Sequence, residues 1–191
     1  MEKQILRRQA IQQRETLTKS EFWVLNDCLL QQLVKFDWSK VSTLHLFLPI
    51  VEKKEIDTFE FIHFFKNQHP AIQLIVPRCN FKTREMAAIK FDPETTVLVK
   101  NKQQIPEPLY GAEINPKLID AVIIPLLKFD KQGHRVGYGA GFYDRFLEKC
   151  RPDVLKIGVS LFDPIEIILD THHQDIRLTH CITPNQVFTF N

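Results

Sequence analysis

The chain has 191 residues, 44% of them hydrophobic and 25% charged, enough to fill one sizeable core and too apolar for a disordered chain. Lys and Arg number 25 against 23 Asp and Glu, and a formal charge of +2 argues against a dedicated nucleic-acid binder, whose surface carries a strong basic excess. No run approaches the roughly 18 apolar residues of a membrane span, and Met1-Glu2-Lys3-Gln4 leads straight into a charged helical pattern without a secretory apolar core.

Residues 3–15 predict a polar, basic first helix. Thr18, with Glu21 three residues later, predicts a capping box opening a second helix that carries Phe22, Val24, Leu25, Cys28, Leu29, Leu33 and Val34, much of it at three-to-four-residue spacing that predicts one core face. Residues 41–48 predict a buried strand ending at Pro49. Asp57 or Thr58 caps the next helix, which carries Phe59, Ile62 and Phe65. Residues 72–76 predict a strand stopped by Pro77. Residues 86–91 and 95–99 are weaker strands, and 101–117, rich in Pro and polar groups, predict a loop. Residues 118–124, 154–159 and 181–188 complete the strands. Short apolar strands alternating with helices predict an α/β fold: a single three-layer domain over residues 1–191, with a mainly parallel central sheet flanked by helices.

Cys28, Cys79, Cys150 and Cys181 form no C-x-x-C pair and no zinc spacing, which predicts free thiols in a reducing cytoplasm. His172, His173, His180 and Cys181 likewise match no zinc motif, and read as a polar loop followed by a strand cysteine.

The most unusual segment is residues 133–147, which holds four of the six glycines: Gly133, Gly137, Gly139 and Gly141. A strand, a glycine-rich loop and a helix start together bring backbone N–H groups close to an anion, and Arg135 adds a planar donor fork. The spacing is neither that of a Walker A loop nor the G-x-G-x-x-G of dinucleotide sites. The same pattern also suits a tight strand-to-helix turn with no ligand. Asp144, in the first turn of the helix, is a helix-end carboxylate by local chemistry. Beside a polyphosphate it needs a divalent cation, because magnesium accepts carboxylate and phosphate oxygens together.

Phe129-Asp130, Gly133, Arg135, residues 137–141 and Tyr143-Asp144-Arg145-Phe146-Leu147 resemble the pattern F-D-x-x-G-x-R-L-G-x-G-G-G-Y-Y-D-R-[FY]-L of the 5-formyltetrahydrofolate cyclo-ligases, also called methenyltetrahydrofolate synthetases. Lys3 and Arg7 match the family's K-x-x-x-R, although on a helix alone they read as solvated charges. Glu55-Ile56-Asp57-Thr58, Val76-Pro77-Arg78, Pro106-Glu107-Pro108 and Gln174-Asp175 extend the likeness over nearly the whole chain. Val136, Ala140 and Phe142 depart from the family's Leu, Gly and Tyr, and Gln174 and Thr179 from its His and Asp.

The resemblance implies an ATP- and magnesium-dependent ligase that converts 5-formyltetrahydrofolate to 5,10-methenyltetrahydrofolate. It implies ATP on Lys3, Gln4, Ile5, Leu6 and Arg7, and on Arg135, Val136, Gly137, Tyr138, Gly139, Ala140, Gly141, Phe142 and Tyr143. It implies folate on Asp57 and on Tyr138, Gly139, Ala140, Gly141 and Phe142. Magnesium falls to Asp144 and Asp175, and catalytic roles to Arg135 and Tyr143. A cytoplasmic monomer with no nucleic-acid or membrane partner is expected. Two other classes fit parts of the pattern: a non-catalytic relative that binds RNA, and an α/β enzyme of sugar phosphates.

Overall fold

The computed structural model describes residues 1–190. Eleven strands and four α-helices build around one seven-stranded sheet of order β11-β10-β9-β6-β1-β2-β3. Its strands are β1 (Thr43–His45), β2 (Gln73–Asn80), β3 (Glu85–Lys90), β6 (Ala121–Pro125), β9 (Leu155–Val159), β10 (His180–Ile182) and β11 (Val187–Thr189). The five inner strands pair in parallel, and an antiparallel strand closes each edge. Strands β4 (Leu98–Lys100) and β5 (Pro106–Pro108) form one two-stranded ribbon; β7 (Lys128–Phe129) and β8 (Arg135–Val136) form another.

The period-two rule divides the core. On β6, Ala121 and Ile123 face one layer while Val122 and Ile124 face the other. The first layer meets α2 (Lys19–Lys35) and α3 (Thr58–Gln68) through Leu29, Leu33, Phe61 and Phe65. Full burial of each of these side chains contributes roughly 1.5–3 kcal/mol. The second layer meets α4 (Phe142–Leu147) through Phe146 and Leu147. Helix α1 (Lys3–Glu15) seats Leu6 with Val136 and Ile168 in a separate small cluster.

The helix ends follow their sequence signals. Thr18 and Glu21 make the reciprocal capping box, and the Asp57 carboxylate accepts from Phe59 N at 3.1 Å to cap α3. Where α2 stops, the Leu33 carbonyl accepts from Phe36 N at 3.2 Å and from Trp38 Nε1 at 2.9 Å.

Several strand expectations need correction: that at 95–99 shifts to β4, Leu98–Lys100, and that at 118–124 to β6, Ala121–Pro125. The strand at 41–48 pairs only over Thr43–His45, although Leu46 N still donates to Ile75 O at 2.9 Å. Pro77 does not stop the second strand: β1 pairs no further than Ile75, so Pro77 faces a ladder on the β3 side alone. The loop at 101–117 contains β5, because its prolines sit on a two-stranded ribbon where one edge needs no donors. Residues 181–188 are not one strand but parts of the β10–β11 hairpin, turned at Thr183 and Pro184, where Thr183 N donates to Gln186 O.

Candidate active site

The sheet order turns about β1, with β2 on one side and β6 on the other. In open α/β sheets a crevice opens at such a point, beyond the carboxyl ends of the strands. A cavity of about 520 Å³ lies there, walled by Phe47, Leu48, Pro77, Cys79 and Pro125 from the strand ends. That size suits one small molecule or cofactor.

The glycine loop forms another wall. Gly139 and Gly141 hold φ of 97° and 68°, backbone that side-chain-bearing residues rarely adopt. A Cβ on Gly141 would lie 3.0 Å from Arg145 Nη1. The loop is held by arginines: Arg7 Nε donates to Gly137 O at 2.8 Å, and Arg145 Nη2 to Ala140 O at 2.5 Å. The turn before the loop is built by Asp130, fully buried, whose carboxylate accepts from Gln132 N, His134 N and Ile168 N. That carboxylate explains Phe129-Asp130 as scaffold. Helix α4 is only 6 residues long, so anion attraction here rests on backbone N–H groups and basic side chains rather than a helix dipole.

Charge is paired across the cavity. Lys3 Nζ bonds Asp175, which also accepts from His172 N at 2.6 Å. Burial pushes the Asp175 carboxyl up, but these bonds outweigh it and hold it below the usual carboxylate range. Arg135 Nη2 bonds Asp144 Oδ1 at 2.6 Å, and Ile176 N donates to the same oxygen at 3.2 Å. Asp144 is thus bonded to the backbone next to Asp175, and both acids line the cavity. Among the described residues no group of three or more His, Cys, Asp or Glu converges to hold a metal. Magnesium needs no such cage, since it takes one or two carboxylates and completes its shell with phosphate oxygens and water. The Asp144–Asp175 pair fits that donor set.

Buried groups complete the lining. The Tyr143 hydroxyl is buried without a hydrogen-bond partner, and burial raises its pKa well above the ordinary value, so it stays protonated. Burial and the neighbouring Glu107 carboxylate push the Cys79 thiol up to about 12, which keeps it unreactive. Glu55, buried, accepts from Ile50 N at 2.7 Å.

Of the residues predicted from sequence, Lys3, Gln4, Arg7, Arg135, Asp144 and Asp175 line this one cavity. So do Gly137, Tyr138, Gly139, Ala140, Gly141, Phe142 and Tyr143. Others stand apart. Leu6 and Val136 pack into the small cluster with Ile168, and Ile5 points outward, 45% exposed. Asp57 is the α3 cap, while Glu55, two residues earlier, lies in the cavity wall. Glu55, Lys53, Phe81 and Asp170 line the cavity too, with no site role legible in the sequence. Only Glu55 carried a signal, as the first acid of the E-I-D-T segment; the others come from separate loops that the fold alone gathers.

A concave site at strand ends, with ammonium and guanidinium groups set against carboxylates beside a glycine loop, is that of an enzyme for an anionic small molecule. The model of the 5-formyltetrahydrofolate cyclo-ligase family matches residues 1–184. A 5-formyltetrahydrofolate cyclo-ligase of Mycoplasma pneumoniae is 30% identical over 180 residues, 89% of this chain and 96% of that one. The fold resembles the 5,10-methenyltetrahydrofolate synthetase of Aquifex aeolicus, with a TM-score of 0.83 and 26% identity over 100% of this chain and 94% of that one. It also resembles the M. pneumoniae synthetase, at 0.75 and 29% over 96% and 99%. The chain belongs to the 5-formyltetrahydrofolate cyclo-ligase family.

Proposed function

We propose that this enzyme uses ATP to close the ring of 5-formyltetrahydrofolate, giving 5,10-methenyltetrahydrofolate, ADP and phosphate. The observation that carries the reading is the convergence in one cavity of Lys3, Arg7 and Arg135, the glycine loop, and the neighbouring acids Asp144 and Asp175.

The chemistry requires a formyl oxygen, a poor leaving group, to become a good one. The formyl oxygen takes the γ-phosphoryl group and ADP leaves. The N10 nitrogen then attacks the formyl carbon and loses its proton, and phosphate departs with the former formyl oxygen as the ring closes. Lys3, Arg7 and Arg135 neutralise charge on the transferring phosphoryl group, and loop N–H groups fix its position. Asp144 and Asp175 hold magnesium, which supplies charge neutralisation and orientation for the triphosphate.

Tyr143, protonated and without a protein partner, donates to the reacting oxygen. Phe142 and Phe81, edge to face at 5.1 Å, give flat apolar contact for the folate rings. Glu55 offers the acceptor that an amino-pyrimidine edge needs. The free cysteines support a reducing, cytoplasmic setting.

The test is the near-ultraviolet absorbance of the methenyl product on mixing protein, 5-formyltetrahydrofolate, ATP and magnesium, with each omitted in turn. Absorbance should rise only when all are present. A folded protein that binds ATP yet forms no product would assign the site to another substrate.

A further inference from the structure

We propose that Arg14 is a positioning residue for the glycine loop, acting through the Tyr138 hydroxyl; the proposal rests on the ring-closing reading above. Arg14 lies in the last turn of α1 and does not reach the cavity, yet its side chain is buried, 7% exposed. Nη1 donates to Tyr138 Oη at 3.1 Å and Nη2 to Leu126 O at 3.2 Å. The hydroxyl also faces Glu55, whose charge acts on it against that of Arg14. Arg14 and Glu55, both buried, border one small crevice.

Tyr138 stands between Gly137 and Gly139, and Gly139 is at φ 97°. Glycines on both sides leave that backbone little restraint of its own. The side chain supplies it: Arg14 fixes the hydroxyl end, and Lys53 Nζ sits 5.1 Å from the ring centre. Arg14 thereby fixes the Tyr138 side chain, in addition to the hold of Arg7 Nε on Gly137 O and of Arg145 Nη2 on Ala140 O. Its Nε is buried without a partner, and a buried cation is seldom the best filler for an apolar gap. Its placement is accounted for by what it holds.

The test compares wild type, Arg14→Met, Tyr138→Phe and the double variant. Methionine keeps the length of the stem without the charge. Backbone order parameters of residues 137–141 in the free protein should fall from about 0.85 toward 0.6 in both single variants, with α1 unchanged. Each single variant should lower kcat/KM for the formyl substrate about tenfold, and the double variant should lose no more than the worse single one. An ordered loop in Arg14→Met, or losses that multiply in the double variant, would overturn the proposal. If wild type forms no methenyl product, the ring-closing reading fails, while the order parameters still decide the role of Arg14.

Discussion

Lys3, in the first turn of the chain's first helix, forms an ion pair with Asp175 from near its end, and both side chains are mostly buried in the cavity wall. Arg135 and Asp144 repeat the arrangement beside it. In the proposed reaction each pair must exchange partners, the cations turning to phosphate and the carboxylates to magnesium. ATP without magnesium leaves two carboxylates facing the triphosphate, and magnesium alone leaves two cations facing a cation. Each ligand should therefore favour the other. Isothermal titration should show ATP binding at least about tenfold tighter with saturating magnesium than with chelator. In Asp175→Asn the repulsion is smaller, so ATP alone should bind more tightly than to wild type, and the gain from magnesium should shrink.

Tyr143→Phe should move stability and function in opposite directions. The hydroxyl is buried without a protein partner, so its removal should leave the urea midpoint unchanged or slightly raised. The substrate oxygen it serves loses a donor, and kcat/KM should fall by about tenfold or more. A matched loss of stability and activity would instead make Tyr143 a packing residue.

His45 gives the fold an acid weakness. It is fully buried among Tyr143 and Phe146, with both ring nitrogens unpartnered, and burial holds its pKa down to about 3. The unfolded chain takes up this proton below about pH 6.5 and the folded one only near 3. Stability present above pH 6.5 is therefore lost as pH falls through that window, by about 2 kcal/mol at pH 5. Denaturant midpoints of wild type and His45→Leu at pH 7.5 and 5 check this: the variant should lose less on acidification.

Gly158→Ala should destabilise without touching the site. Its Cβ would lie 2.7 Å from both Leu126 Cδ2 and Leu178 Cδ1 and 3.3 Å from Cys181 Sγ, inside the second core layer. Overpacking of this kind costs about 1–3 kcal/mol, readable as a lower melting temperature.

The sequence made the architecture legible where one local rule acted alone. The Thr18–Glu21 capping box and the glycine loop before α4 stand where their patterns put them. Proline misled where its cost depends on the neighbour: Pro77 and Pro106 read as breakers, yet each pairs where one side of the strand needs no donor. In the candidate site, residues 137–144 were visible because glycine and charge are rare together. Asp57 was legible as the cap of α3, whereas the inward turn of Glu55, two residues earlier, is set by the fold. Arg14 was one basic residue among several on a basic helix. Nothing local distinguishes an arginine that will be buried against a loop 124 residues away.

The most direct measurement follows the formyl oxygen. With 18O in the formyl group of 5-formyltetrahydrofolate, a single turnover on the purified enzyme with ATP and magnesium should place the label in inorganic phosphate, one labelled oxygen for each methenyl group formed. Methenyl product accompanied by unlabelled phosphate would contradict phosphorylation of the formyl oxygen, and with it the role assigned to Lys3, Arg7 and Arg135.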